Sequence, residues 1–233
     1  MSGQPDTPSE PRPVGGFDAL RAQIGDDFSA VRPVGPAWRR GLVPVALWTV
    51  ILGPAVLATG IRDDVDTMGW GFSWAASTLA VLASYSLSVF LVRESTPGDR
   101  PSHGIVHLFL LSVLALQITC AWLLHSAHPH VVPDGDHVRV SVACFSAISV
   151  LSLPLTGAAI YFALRGVAPR GPLFATLAGA SSVVAAEGVW RLHCPFTDLS
   201  HFFSAHLPPY LVIAVVTALA VRWLNQRLKA RAR

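Results

Sequence analysis

Six apolar stretches, each long enough to cross a bilayer, constrain this chain more than any other feature. They cover residues 41–61, 71–92, 104–124, 138–164, 172–192 and 208–224. A helix needs about 20 residues to span a ~30 Å hydrocarbon core. Lipid offers no partner to a bare N–H or C=O, so stretches of this length predict helices rather than irregular chain. The expected fold class is all-α: a six-helix transmembrane bundle with the lipid bilayer as its solvent, preceded by a short cytoplasmic N-terminal amphipathic helix. Composition agrees. The chain is 52% apolar and 13% charged, where a soluble domain carries about 25% charged residues. Pro44, Pro54 and Pro154 fall inside spans, and membrane helices accept proline with a local kink.

Ahead of the first span the pattern changes twice. Residues 1–16 hold four prolines and no apolar periodicity, which predicts a disordered tail. They also lack the apolar core of a signal peptide, so the first span is expected to act as an uncleaved anchor. From residue 17, Phe17, Leu20, Ile24, Phe28 and Val31 recur at steps of three and four, with Asp18, Arg21, Gln23, Asp26 and Asp27 between them. That spacing makes one apolar face of a helix of about four turns. Pro33 ends it, because the residue before proline disfavours helix. Such a helix either lies against the membrane or bundle, or docks a soluble partner. Residues 17–40 are therefore taken as a cytoplasmic helical segment, 41–224 as the membrane domain and 225–233 as a basic tail.

Orientation follows from the basic residues. With the N-terminus inside, fourteen of the 17 Lys and Arg residues lie on the cytoplasmic side, and only Arg62, Arg139 and Arg191 outside. The positive-inside rule then puts both termini in the cytoplasm. A formal charge of +3, dispersed in short runs, does not suit a nucleic-acid binder.

This topology sorts the chemistry. His125, His128, His130, His137, His193, His201 and His206 fall on the outer side, and only His103 and His107 on the inner. Cys120, Cys144 and Cys194 all lie within roughly 10 Å of the outer boundary in depth, at ~1.5 Å per residue. Thiolate and imidazole are ligands for soft and borderline metals, and an oxidising compartment can join two cysteines. Simple packing accounts for a buried cysteine equally well. His201 and His206 are five apart, which is not a one-face pair on an α-helix, and no CxxC or HExxH spacing occurs. Glu187, inside the fifth span, is expected to face the bundle interior, because a carboxylate in lipid is costly. No GxSxG, P-loop or dinucleotide fingerprint is present, so the chain is not expected to be an enzyme.

Several pieces of sequence, taken together, resemble one family. These are Val31-Arg32-Pro33-Val34 and Pro36-Ala37-Trp38-Arg39-Arg40 before the first span, and Ser95-Thr96-Pro97-Gly98 after the second. They continue with Cys144 followed by Leu153-Pro154, and Arg165-Gly166-Val167-Ala168-Pro169. A small-residue-rich fifth span then ends in Leu192-His193-Cys194-Pro195, followed by His201, His206, a last span and a basic tail. In this order, over about residues 17–227, they resemble the NrsF-type bacterial membrane anti-sigma factors (negative regulator of sigma F). The resemblance implies a multi-pass protein of the bacterial inner membrane that restrains an extracytoplasmic-function sigma factor and releases it under metal or oxidant stress. It implies that Cys144 and Cys194 are the paired cysteines, while Cys120 is outside the pattern.

On this basis Phe17, Leu20, Ile24, Phe28 and Val31 are the expected partner-binding residues. Cys144, Cys194, His193, His201 and His206 are the expected signal-sensing residues. His193, Cys194, His201 and His206 form the expected metal set, for a transient heavy-metal ion rather than a resident cofactor. The rival readings are a small metal transporter collecting ions at the outer histidines and a membrane redox enzyme with a cysteine pair. A transporter requires polar residues through the membrane centre, where only Glu187 and His107 are on offer. A redox enzyme requires a dithiol beside a quinone or haem site, and none is evident.

Overall fold

The computed structural model describes residues 35–68, 70–96, 98–129, 131–133, 135–164 and 171–231. The 17–31 segment with Phe17, Leu20, Ile24, Phe28 and Val31 lies outside them, as do residues 1–16 and the 165–170 loop. Among the described residues there is no strand, and six helices are long and apolar enough to cross a membrane. The elements are α1 (Ala37–Thr59), the short α2 (Val65–Met68), α3 (Trp70–Glu94), α4 (His103–Ala127), α5 (His137–Leu164), α6 (Pro172–Trp190), the single turn α7 (Leu199–His201) and α8 (Pro208–Arg231). A π-helical turn, Phe202–His206, joins α7 to α8.

The first helix begins at Ala37 rather than at residue 41, so Trp38, Arg39 and Arg40 form its opening turn instead of a preceding segment. Pro36 precedes it with φ −58° and ψ 143°, an extended entry that a proline ring already favours. The fifth span stops at Trp190, two residues short of the expected end, and Arg191–His193 turn away from the helix axis. Pro44 and Pro54 in α1 and Pro154 in α5 stay inside continuous helices.

α6 is the centre of the bundle. Residues from Ser181 to Gly188 are buried without interruption, and most of them are Ser, Ala or Gly. Small side chains let helix backbones approach closely, which is the main source of packing energy in lipid. Gly188 shows how closely: a Cβ there would lie 2.5 Å from the Ala80 Cβ on α3. On the same interface the Ser84 hydroxyl donates to the Ser181 carbonyl at 2.7 Å. Gly41 plays the same part between α1 and α3, where an added Cβ would meet Val89 Cγ2 at 2.9 Å.

Apolar side chains fill the rest of the interior in three groups. Leu87, Leu91, Val106, Phe174, Leu177 and Val221 pack at one end. Trp48, Leu52, Ile148, Leu155, Val183 and Ile213 pack along the middle. Cys144, Cys194 and Ala205 close the other end, with Val140, Trp190 and Phe196 against them. Leu57, Leu108, Leu111, Val150, Leu211, Val215 and Leu219 stand exposed on the outside of the bundle. Large apolar side chains exposed along several helices are what a lipid-facing surface requires.

The connections sort to the two ends. At the first, Arg40 Nη2 donates to Thr96 Oγ1 at 2.9 Å, tying the start of α1 to the turn after α3. At the second, the segments after α1, α4 and α6 meet. Arg62 N donates to the Leu192 carbonyl at 2.9 Å, the Arg62 guanidinium to the Pro195 carbonyl, and Thr197 Oγ1 to the His128 carbonyl. This second end holds the cysteines and most of the histidines.

Candidate functional site

Four ligand-bearing side chains converge at the second end. Cys144 comes from α5, two turns in. Cys194 comes from the loop that leaves α6, His201 from α7, and His206 from the end of the π turn. One donor atom from each lies within 4.8 Å of every other. Cys144 Sγ is 3.7 Å from Cys194 Sγ, and Cys194 Sγ is 3.4 Å from His201 Nε2. Both cysteines are unpaired thiols. All four residues are buried, His201 completely.

Local chemistry explains how the loop delivers them. Past Trp190 the chain closes in a turn: Leu192 N donates to the Val189 carbonyl at 3.0 Å, and His193 N and Cys194 N both donate to the Trp190 carbonyl at 2.9 Å. Pro195 then turns the chain across the mouth of the bundle. Asp198 caps α7, accepting from His201 N at 3.1 Å and from the Ser200 hydroxyl. Burial works against the Asp198 charge, yet the Ser200 hydroxyl and the N–H groups of His201 and Ser200 outweigh it and hold the carboxyl below its usual range. The hydrogen bond with Cys144, reinforced by burial, pushes the Cys194 thiol above its ordinary value.

The π turn is what makes His201 and His206 a pair. In an α-helix residues five apart point ~140° away from each other, at ~100° per residue. Here Leu207 N donates to the Phe202 carbonyl at 3.0 Å, an i→i+5 bond that widens the turn. The two rings meet edge to face with centroids 5.2 Å apart. Pro208 and Pro209 follow directly, and neither can donate to the carbonyls of Ser204 or Ala205, so the α-helical ladder has no claim on that stretch. The adjacent prolines were the available sequence signal for this geometry, and the five-residue spacing read as a straight helix concealed it.

A polar side chain stands behind each histidine. His201 Nδ1 is 3.4 Å from Ser141 Oγ, which is 3.0 Å from Ser204 Oγ. His206 Nδ1 is 3.5 Å from Glu187 Oε1, and Phe202 stacks on the His206 ring. Glu187 is fully buried in α6 and faces inward, as a membrane carboxylate must. Its partner is Arg191, one turn on, whose Nε donates to Glu187 Oε1 at 2.9 Å and whose Nη2 donates to Gln117 Oε1 of α4 at 3.0 Å. The counter-charge and the amide acceptor offset part of the cost of burying these charges, while Glu187 Oε2 and Arg191 Nη1 have no hydrogen-bond partner. A cavity of about 30 Å³, room for a single small occupant, lies between Arg191, Cys194, His201 and His206.

His193 is the sensing candidate that the structure leaves apart. Its Nδ1 lies 3.3 Å from the Gly60 carbonyl and its ring packs on Trp190 at 4.7 Å. It is not among the four converging donors, whereas Cys144, absent from the expected metal set, is. Cys120 on α4 is also outside the group. His137 borders it through Ser200, with Nε2 3.0 Å from that hydroxyl. His107 is exposed on the outside of α4, so it offers no path through the bundle centre.

A family model described as "NrsF: Negative regulator of sigma F" matches residues 25–226, nearly the whole chain. No curated protein and no solved structure matches it.

Proposed function

The chain belongs to the family of negative regulators of sigma F, and from that premise we propose how this member works. It holds an extracytoplasmic-function sigma factor inactive at the bacterial inner membrane, and it releases that factor when a periplasmic metal ion or oxidant alters the Cys144–Cys194 site. The anti-sigma role is the family's.

One observation carries it: two thiols from distant parts of the sequence meet, buried, 3.7 Å apart, beside two histidines. Such a pair responds to soft metals by coordination. It responds to an oxidant by losing two electrons and two protons as an S–S bond forms. The distribution of Lys and Arg supports a periplasmic position for this end and a cytoplasmic one for both termini. On the cytoplasmic side the apolar stripe of Phe17, Leu20, Ile24, Phe28 and Val31 suits helix-in-groove capture of the sigma factor. α6 links the two ends. It leads directly into Cys194, carries Glu187, and runs through the centre of the bundle for ~28 Å at ~1.5 Å per residue.

The test is co-purification of the sigma factor with the full-length chain in detergent, comparing wild type with Leu20→Asp. The expected result is retention by wild type and loss with the variant. Equal retention by both removes the docking role from this stripe.

A further inference from the structure

The geometry points to a closed Cys2His2 site for a zinc-class divalent ion, with Cys144 Sγ, Cys194 Sγ and the Nε2 atoms of His201 and His206 as its four ligands. This rests on the sensing role proposed for the same cysteines. It replaces a transient, His193-containing metal set with a defined tetrahedral one.

Three observations carry it. The first is spacing. Zinc–sulfur bonds of ~2.3 Å at the tetrahedral angle set two sulfurs ~3.8 Å apart, and a ~2.05 Å zinc–nitrogen bond sets nitrogen ~3.6 Å from sulfur. The observed separations are 3.7 Å for Cys144 Sγ to Cys194 Sγ and 3.4 Å for Cys194 Sγ to His201 Nε2. The second is the direction of the rings. A metal-bound histidine donates its other N–H to an oxygen, which fixes the tautomer. His201 turns Nδ1 to Ser141 Oγ within hydrogen-bond distance, and His206 places Nδ1 3.5 Å from Glu187 Oε1, a charge contact without hydrogen-bond alignment. That leaves the His201 Nε2 lone pair for the ion, and both ring nitrogens of the buried His206 are without a hydrogen-bond partner, so its Nε2 is free to bind as well.

The third is charge. Two thiolates neutralise one divalent cation, and Glu187 is separately neutralised by Arg191. A complete neutral set is what a buried, water-poor site tolerates. Four protein donors leave no open coordination position, which marks a structural or regulatory ion and not a catalytic one. Loading displaces the thiol protons, so the metal-bound site holds the loop after α6, α7 and the π turn against α5.

Full-length protein purified in detergent under reducing conditions tests this, first with zinc and then with cobalt(II) as a spectroscopic probe. The expected result is one zinc per chain and, with cobalt, tetrahedral d–d bands together with sulfur-to-cobalt charge transfer. Cys144→Ser, Cys194→Ser, His201→Gln and His206→Gln should each weaken binding at least tenfold, and His193→Gln should leave it unchanged. The cobalt spectrum of the wild type reports ligand number and type without any variant, so a misfolded mutant does not blunt the test. Absence of stoichiometric zinc, an octahedral cobalt spectrum, or loss of binding with His193→Gln would overturn the site. The same preparation separates this from the broader reading. Wild-type protein that binds no zinc but forms a Cys144–Cys194 disulfide with an oxidant keeps the thiol sensor and removes the ion.

Discussion

His201 and His206 face each other across a π turn, with ring centroids 5.2 Å apart at 71°. The extra residue in that turn gives a five-residue spacing the same facing that a four-residue spacing has in an α-helix. Deleting Phe203, which is half exposed, should therefore convert the π turn to an α turn while keeping both rings on one face. The expected outcome is a folded protein that binds cobalt(II) with an unchanged spectrum. Inserting an alanine after Phe203 should abolish the spectrum. Absorption spectroscopy of the two variants checks this.

Glu187 and Arg191 should be far more costly to separate than to remove together. Glu187→Gln leaves the buried Arg191 guanidinium without its counter-charge, and breaking a buried pair costs ~3–5 kcal/mol. The double variant Glu187→Gln with Arg191→Met should recover most of that loss. Thermal unfolding of the three variants in detergent gives the comparison, and an additive double variant would contradict the pairing.

Gly188 sets the distance between α6 and α3. Its added methyl would sit 2.5 Å from the Ala80 Cβ, well inside van der Waals contact. Gly188→Ala should destabilise by ~1–3 kcal/mol, the usual cost of overpacking. Ala80→Gly in the same chain should relieve part of it, so the two changes should be non-additive in a double-mutant cycle of unfolding midpoints.

Asp198 holds the start of the α7 turn that carries His201. Asp198→Ala removes the acceptor for His201 N and should cost about 1 kcal/mol, the usual worth of an N-cap. It should also weaken zinc binding, since His201 loses its fixed approach. Calorimetric titration with zinc and thermal unfolding measure the two effects, and a variant that loses stability but keeps full zinc affinity would separate the cap from the site.

The spans were legible because lipid leaves the backbone so little choice: length and apolarity alone decide where helices run, and the six appear in their expected places. The inward face of Glu187 was legible for the same reason, although its pairing with Arg191 depends on a one-turn spacing that only matters once the helix end is fixed. The meeting of Cys144 with Cys194 was not in the periodicity. They are 50 positions apart, and three cysteines share one depth, so only the family pattern singled out these two. His193 looked equivalent to His201 and His206 because all three lie in one polar stretch. What separates them is the turn after Trp190, which sends His193 toward Gly60, and the π turn, which brings the other two inward. Those are backbone events decided by Pro195, Pro208 and Pro209, and a side-chain inventory does not register them.

The central claim is that Cys144 and Cys194 receive the signal that frees the sigma factor. The direct measurement is a reporter driven by the cognate sigma factor, in cells carrying wild type, Cys144→Ser or Cys194→Ser, challenged with a soft divalent metal and with a thiol oxidant. The account predicts that wild type derepresses under at least one challenge, while both variants, present in the membrane at wild-type levels, stay locked in one state. Variants that follow the wild-type response to both challenges would contradict it.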